Sequence, residues 1–180
     1  MAIFAGGQQT AINPAYWQAG VPTQGLLDGY TYAKVCMTDI KVGIGCFYSQ
    51  TTGGFQQTAP TTGVFAGIVM RSNANSMSYL DSRLGFSEVI TAGFTAQVIT
   101  RGTVPVYLAL ANETGALPKI GSAIYVMADG TFQSQSIGGT APTGGTITNF
   151  RVSSVGENIS GYVWAANGLV EITNTQNCGA

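Results

Sequence analysis

The stretch Thr103-Val104-Pro105-Val106-Tyr107-Leu108 decides the fold class of this chain. Its apolar residues Val104, Val106 and Leu108 recur at every second position, so a β-strand would place all three side chains on one face. Pro105 has no backbone N–H to give to a neighbouring strand, which favours a sheet edge or a position beside a bulge. The spacing therefore predicts a strand with one buried face.

Similar runs fill the rest of the chain. They are rich in β-branched and aromatic residues, are separated by turn residues, and cover residues 30–37, 44–48, 63–70, 94–100, 124–127, 150–152, 161–164 and 169–172. Asp129-Gly130 between two apolar runs predicts a hairpin. A short helix is possible only over residues 78–89. The pattern predicts an all-β fold, either a compact β-barrel or a β-sandwich.

The chain divides into an arm and a domain. Residues 1–25 contain Asn13-Pro14 and Val21-Pro22 and show no helical period, so they predict an extended N-terminal arm. Residues 26–180 predict a single β-rich domain with long Gly/Thr-rich loops. Within the arm, Tyr16 and Trp17 are a pair of aromatic anchors, which dock either on the chain's own core or on a neighbour's surface.

Two of the long loops, Ser49–Gly63 and Ser134–Asn149, resemble each other. Residues 58–63 read Thr-Ala-Pro-Thr-Thr-Gly and residues 140–145 read Thr-Ala-Pro-Thr-Gly-Gly. The match is too short to establish a duplication by itself. The simplest interpretation is two flexible polar hairpin tips, and the alternative is two dedicated contact loops. For the second case the candidate contact residues are Phe55, Pro60 and Pro142.

Charged side chains are scarce and histidine is missing. The 180 residues include seven basic and eight acidic ones and no histidine, and residues 1–27, 42–70 and 130–150 carry no charge at all. General acid–base catalysis, nucleophile activation and zinc binding rely on the groups that this chain lacks. We therefore expect no enzyme, no cofactor and no metal site. A glycosidase with two paired carboxylates is the remaining enzymatic alternative.

The same composition argues against nucleic-acid and membrane partners. The formal net charge is −1, and the basic residues are scattered rather than clustered on phosphate-binding stripes. No run approaches the ~18 apolar residues of a membrane span, and the first residues lack the basic region of a signal peptide. Cys36, Cys46 and Cys178 have no metal or disulfide spacing, so we expect them to be free thiols.

The order of the strand motifs resembles that of the tailed-phage capsid cement, or decoration, proteins. The clearest segments are Gly63-Val64-Phe65-Ala66-Gly67-Ile68-Val69-Met70-Arg71, then Arg101-Gly102-Thr103-Val104-Pro105-Val106, then residues 120–126 followed by Asp129-Gly130-Thr131-Phe132. Ile44-Gly45-Cys46-Phe47, Arg151-Val152 and residues 169–172 fit the remaining strands, so the resemblance spans roughly residues 30–172. Ser122 stands where the family often has an acidic residue, and Thr103 where it often has a basic one.

The resemblance implies a β-rich accessory protein of the virion. Such a protein is made in the host cytoplasm, binds the outer surface of an icosahedral capsid and staples neighbouring major capsid subunits. It also implies self-association, as a homotrimer or a dimer, with a monomer that gathers on the shell as the alternative. Tyr16, Trp17, Phe55, Pro60 and Pro142 would then belong to capsid or intersubunit contacts. A carbohydrate- or receptor-binding β-module of a phage fibre or adhesin is the competing function.

Overall fold

The computed structural model describes residue 20 and residues 30–70, 89–109, 120–135, 139–155 and 167–174. Within these ranges the chain forms eleven β-strands and no helix. The strands are β1 (Tyr30–Val35), β2 (Ile40–Lys41), β3 (Gly45–Ser49), β4 (Phe55–Gln56), β5 (Gly63–Val69), β6 (Val89–Ile90), β7 (Thr95–Ala109), β8 (Ala123–Val126), β9 (Phe132–Gln135), β10 (Thr146–Val155) and β11 (Asn167–Asn174). The all-β prediction is confirmed.

Strand β7 is the longest and organises the fold. Its first half pairs with β1 and β5, and its second half pairs with β11 and, at its end, with β9. An irregularity in the pairing with β1 falls at Thr100, and Gly102 follows with φ of +123°. An extra residue of this kind bends a strand and changes which side chains face inward. The bulge therefore lets one strand serve two different cores.

A first barrel closes around the N-terminal half of β7. Its strands run in the order β1, β7, β5, β3 and β4, each antiparallel to the next. The ring is completed by a parallel bridge between Cys36 and Phe55 and by the Met37 N–H, which donates to the Phe55 carbonyl at 2.7 Å. The short pair β2–β6 adds Ile40 and Ile90 to the interior of this barrel.

A second barrel closes around the C-terminal half of β7. Here the order is β7, β11, β10, β8 and β9, again antiparallel from one strand to the next. The ring returns from β9 to β7 through a parallel pairing of Phe132 with Leu108. Val104, Val106 and Leu108 point into this barrel and are fully buried, whereas Tyr107 is 50% exposed. Val104, Val106 and Leu108 thus share one buried face as predicted, but Thr103 and Pro105 on the opposite face are buried as well.

The two barrels have the same topology. In the first barrel β3 lies between its hairpin partner β4 and the returning strand β5, and β5 pairs with β7. In the second barrel β8 lies between its hairpin partner β9 and the returning strand β10, and β10 pairs with β11. The register agrees at the level of single residues. One buried position on each strand of the first barrel corresponds to one on the second: Cys36 to Leu108, Cys46 to Ile124, Phe55 to Phe132, Val69 to Val152, and Val98 to Ile172.

This correspondence extends the similarity of the two loops to all five strands of each barrel. The short match between residues 58–63 and 140–145 falls at the same place in both barrels, between the hairpin and the returning strand. The two similar loops therefore belong to a five-strand unit that occurs twice in the chain. The sequence match is too short to establish this, because the Thr-Ala-Pro-Thr turn sequence is retained while three of the five equivalent core positions differ; the retained core pairs are Phe55–Phe132 and Val69–Val152.

The barrels touch through backbone and through aromatic rings. The Gly45 N–H at the start of β3 donates to the Gly130 carbonyl at 2.8 Å, and the Ala59 N–H donates to the Ala128 carbonyl at 2.7 Å. Phe65 lies edge-on to both Phe47 and Phe132. The outer face of the first barrel therefore joins the core of the second, and the two units share one continuous apolar cluster.

Two expectations concern particular residues of the strands. The Asp129-Gly130 hairpin is confirmed between β8 and β9. Pro105 pairs with Glu171 of β11 on one side, and among the described residues no strand pairs with it on the other side, which fits the expected edge position. The Pro105 carbonyl accepts a hydrogen bond from the Gly20 N–H at 3.0 Å, on the side away from β11. The missing N–H points to that same side, so proline costs this ladder no hydrogen bond.

Several expectations fall outside the described residues. These are the arm apart from Gly20, the possible helix up to residue 88, the run 161–164, and Cys178. Gly20 is buried against Val42 and the Val69 carbonyl. The division into an arm of residues 1–25 and a domain of residues 26–180 stays a prediction. In the described part of the chain no helix is long and apolar enough to cross a membrane.

Candidate interaction surface

The stretches without charge coincide with the repeated units. Residues 42–70 contain β3, β4 and β5, and residues 130–150 contain β9 and the first half of β10. Charged groups are depleted at the centres of protein–protein interfaces because their desolvation is costly. The places where these stretches reach solvent are therefore the candidate contact surfaces.

The first such place is the turn that leads into β5. The Gly63 N–H donates to the Pro60 carbonyl at 2.9 Å, which closes a tight turn over Thr61 and Thr62. Both threonines are exposed. The Oγ1 atoms of Thr51 and Thr62 are 3.5 Å apart, so the tip of the β3–β4 hairpin lies beside this turn. Val64 follows the turn and is 54% exposed.

The second place is the equivalent turn that leads into β10. The Gly145 N–H donates to the Pro142 carbonyl at 3.2 Å, over Thr143 and Gly144. Gly144 has φ of +77°, the conformation that the third position of a type II turn requires. Thr143 and Thr146 are exposed, and Ile147 is 57% exposed. Val64 directly follows the first turn; its register equivalent after the second turn is the exposed Thr146, and the exposed Ile147 lies one residue further along β10.

We call these two areas turn face 1 and turn face 2. Turn face 1 consists of Thr51, Thr61, Thr62 and Val64, and turn face 2 consists of Thr143, Gly144, Thr146 and Ile147. Their backbones correspond through the pairings of Tyr48 with Val64 and of Val126 with Thr146. Each face is polar but uncharged and has an apolar side chain at its margin.

The first barrel also has an exposed apolar corner, formed by Val35, Met37 and Phe94. These side chains are 47%, 42% and 53% exposed. The Cys36 N–H donates to the Phe94 carbonyl at 2.8 Å, and Met37 lies across Gly54, so the three residues meet at one end of the barrel. Val35 corresponds in the second barrel to Tyr107, which is 50% exposed.

The predicted contact residues occupy different environments. Phe55 is completely buried in the first core, edge-on to Tyr32 at 5.4 Å between ring centroids. It corresponds to the core residue Phe132, so its expected contact role is corrected to a core role. Pro142 is also buried and supports turn face 2 from below, and Pro60 is half-buried. Tyr16 and Trp17 lie outside the described residues.

The sequence analysis missed the exposed residues that surround those prolines. Thr61, Thr143, Val64 and Ile147 carry the surface, whereas the prolines shape the turns beneath it. The repeated loop indicates the position of this surface, and the alternation of residues 147–152 in β10 indicates which side chains face out. Prolines and aromatic residues stand out in a loop otherwise made of glycine, threonine and glutamine, so composition favours them over the threonines as contact residues.

The titratable groups of the first core are held in their neutral forms. Burial raises the pKa of the Cys46 thiol, and the nearby Cys36 adds to this effect. Burial also raises the pKa of Cys36 and raises that of Tyr32 to about 12. The Tyr32 hydroxyl donates to the Ala66 carbonyl at 2.9 Å. A thiol in this state is a poor nucleophile and packs as a small apolar group.

In the second barrel the pKa of one carboxylate, that of Asp129, is lowered rather than raised. Partial burial of Asp129 would raise its pKa, but its carboxylate accepts hydrogen bonds from the Thr131 N–H and hydroxyl, and the net effect lowers the pKa. These bonds shape the β8–β9 turn. In the described ranges no three His, Cys, Asp or Glu residues come together as a metal site would require.

The fold and this surface define a class: an all-β protein that offers uncharged contact areas on two closed barrels. The sequence matches the family model described as structural cement protein (E217 gp24/Pam3 gp6) over residues 8–175. The chain therefore belongs to the phage structural cement protein family. It is a structural, capsid-associated phage protein of the virion.

Two solved structures are similar to it. The first is a chain from "The capsid of Myoviridae Phage XM1", with a TM-score of 0.59 and 16% identity over 88% of this chain and 90% of that one. The second is the head fiber gp8.5 N base in bacteriophage phi29, with a TM-score of 0.41 and 12% identity over 81% and 93%. The first likeness supports the fold. No curated protein matches the sequence.

Proposed function

We propose that this protein binds the outer surface of an assembled icosahedral capsid and staples neighbouring major capsid subunits together. The observation that carries the proposal is the pair of exposed, uncharged turn faces on equivalent barrels in a member of the cement family. A ligand that binds only the assembled shell stabilises it by mass action. Surfaces without charge suit this role because little desolvation cost opposes the contact.

The apolar corner supplies a second part of the contact. Phe94 is the largest of its three side chains and is half exposed, and aromatic residues dominate the binding energy of many interfaces. Phe94→Ala is expected to weaken particle binding by about tenfold or more, since a truncated anchor costs about 1–2 kcal/mol. The isolated protein should keep its melting temperature, because Phe94 lies outside both cores.

The arm contributes a further anchor through Tyr16 and Trp17. A buried aromatic anchor contributes about 2 kcal/mol, or roughly thirtyfold in affinity. Trp17→Ala should therefore weaken particle binding while the isolated domain stays folded. A lower melting temperature with unchanged binding would instead assign Trp17 to the domain's own core.

The test of the function compares particles with and without this protein. Particles that lack it should assemble, yet release their contents at a lower temperature or at low ionic strength, and added protein should restore resistance. Free capsid subunits should not bind it. Equal resistance in the two kinds of particle would refute the cement role.

Self-association is proposed as a homotrimer. The expected reason is a sheet edge at Pro105: this segment of β7 pairs with β11 on one side, and on the other side the Gly20 N–H donates to the Pro105 carbonyl. The exposed Tyr107 remains as a contact residue beside it. Sedimentation of the purified protein over micromolar concentrations measures the mass. A single monomeric species would reject a preformed oligomer, and a stable dimer would reject the trimer.

A further inference from the structure

We propose that the two barrels are two copies of one capsid-binding module, and that a single chain holds two capsid subunits through the same kind of contact, one at each turn face. This inference rests on the proposed function and specifies how many capsid subunits one chain binds and which residues make the contacts. The partner is the uncharged surface of a repeated protein subunit.

The first step is that the two turn faces are equivalent by register. Thr61 and Thr143 each follow the proline of a closed turn, at the same position in the repeated unit. The strands on either side pair in the same way, Tyr48 with Val64 and Val126 with Thr146. The returning strand that follows is irregular in both barrels. The two turns are therefore presented by the same framework.

The second step is that one exposed position, Thr61 in the first turn and Thr143 in the second, carries the same residue in both turns, although several equivalent core positions differ. Cys46 corresponds to Ile124 and Cys36 to Leu108, so the interiors tolerate different side chains. Packing alone needs only apolar residues of suitable total volume. The Thr-Ala-Pro-Thr sequence is identical in the two loops, although Thr61 and Thr143 are exposed and pack in neither core. An exposed residue kept in both copies points to a shared contact.

The third step identifies the partner. Neither turn face carries a charge, which removes the means of binding phosphate groups. Threonine hydroxyls beside an exposed valine or isoleucine match a neutral protein surface that offers backbone and amide partners. A shell offers many copies of one subunit, so a duplicated contact fits a repeated partner. Linking two such contacts raises overall affinity by about 10²–10⁴ over one alone.

The experiment places a charge on each turn face separately. Thr61→Lys and Thr143→Lys put the same group at equivalent exposed positions, and Thr61→Glu and Thr143→Glu repeat the test with the opposite sign. Ala33→Lys is the control, because Ala33 is exposed on β1 outside both charge-free stretches and next to Lys34. Melting temperature and circular dichroism verify that each variant is folded. Particle affinity and heat resistance of loaded particles are then measured.

Each single variant should bind particles about 10²-fold more weakly or worse, with similar residual affinities for the two sites. At saturating occupancy neither should protect the particle against heat, since one contact cannot hold two subunits. The double variant should not bind, and the control should match the original chain.

The inference is overturned if either single variant keeps full affinity and protection. It is also overturned if a single variant at full occupancy still protects. If the unaltered protein itself fails to bind particles, the capsid-binding function fails, and this inference fails with it. If the unaltered chain binds particles through one turn face alone, the two-module inference is overturned, while the proposed capsid-binding function still holds.

Discussion

The two barrels share a topology and differ in what fills them. The first core contains Cys36, Cys46 and Phe55, with the Tyr32 hydroxyl bonded at its margin. The second is built from aliphatic residues around Phe132 and Phe150. Five-strand closure and the parallel return pairing are the same in both, whereas the turn into the fourth strand contains a residue with positive φ, Gly144, only in the second barrel. The comparison teaches that strand register specifies this unit more strictly than core identity or turn type does.

The hairpin tips differ in a second way. In the second barrel the tip is packed on the first, through the hydrogen bonds from Gly45 to Gly130 and from Ala59 to Ala128. In the first barrel the corresponding tip at Gly53 reaches solvent beside turn face 1. One copy of the tip is therefore used inside the molecule, and the other is available to a partner.

The largest expected effect comes from the equivalent phenylalanines. Phe55→Ala and Phe132→Ala each remove a fully buried ring, which costs about 3–5 kcal/mol of unfolding free energy. Because β7 belongs to both barrels, each substitution should shift one cooperative transition of the whole domain. Denaturant unfolding followed by tryptophan fluorescence and by circular dichroism measures this. Two separated transitions, with one unmoved by Phe55→Ala, would show that the barrels fold independently.

Substitution of the equivalent glycines Gly53 and Gly130 tests the difference between the two hairpin tips. Gly53 and Gly130 both have positive φ, +73° and +85°, so alanine costs about 1–2 kcal/mol of backbone strain at either position. A Cβ at Gly130 would also meet the Gly45 carbonyl oxygen at 2.4 Å, whereas at Gly53 the nearest atom is the Tyr48 hydroxyl at 4.0 Å. Gly130→Ala should therefore destabilise clearly more than Gly53→Ala. Equal losses would mean that the contact between barrels adds nothing.

Alkaline pH should act through the buried Cys46 thiol of the first core. The folded state keeps the Cys46 thiol protonated, while the unfolded chain releases that proton near its ordinary pKa. The contribution is present in full below the ordinary thiol pKa of about 8.5 and falls above it by about 1.4 kcal/mol per pH unit. Between pH 7 and 10 the unfolding free energy of Cys46→Ala should fall less steeply than that of the original chain. Parallel slopes would place the thiol in contact with water.

The smallest expected effect concerns the β8–β9 turn. The lowered pKa of Asp129 means that its bonds to Thr131 stabilise the folded state above the ordinary carboxyl pKa and are lost as pH falls through the lowered value. The group is largely exposed, so the effect should stay below about 1 kcal/mol. Asp129→Asn should remove this acid sensitivity in melting curves between pH 2 and 6. An unchanged acid profile would show that the carboxylate contributes nothing to the turn.

The sequence predicts the strands of this protein well and its surface poorly. Period-two runs and the Asp129-Gly130 turn identify β7, β8 and β9, because burial of one face and hairpin geometry leave a local pattern. The closure of the strands into two barrels is not predictable from these local patterns. It depends on the bulge at Thr100 and on parallel pairing between residues that are distant in sequence, such as Cys36 and Phe55. Nor does composition separate a buried aromatic residue from an exposed one, so the sequence does not predict that Phe55 is fully buried.

The central claim is that one chain holds two capsid subunits through its two barrels. A cryo-EM map of the particle, with this protein bound, tests it most directly. The account predicts density in which turn face 1 and turn face 2 of one chain contact two different copies of the major capsid protein at closely similar sites. A map in which either turn face is open to solvent, or in which both contact the same subunit, would contradict it.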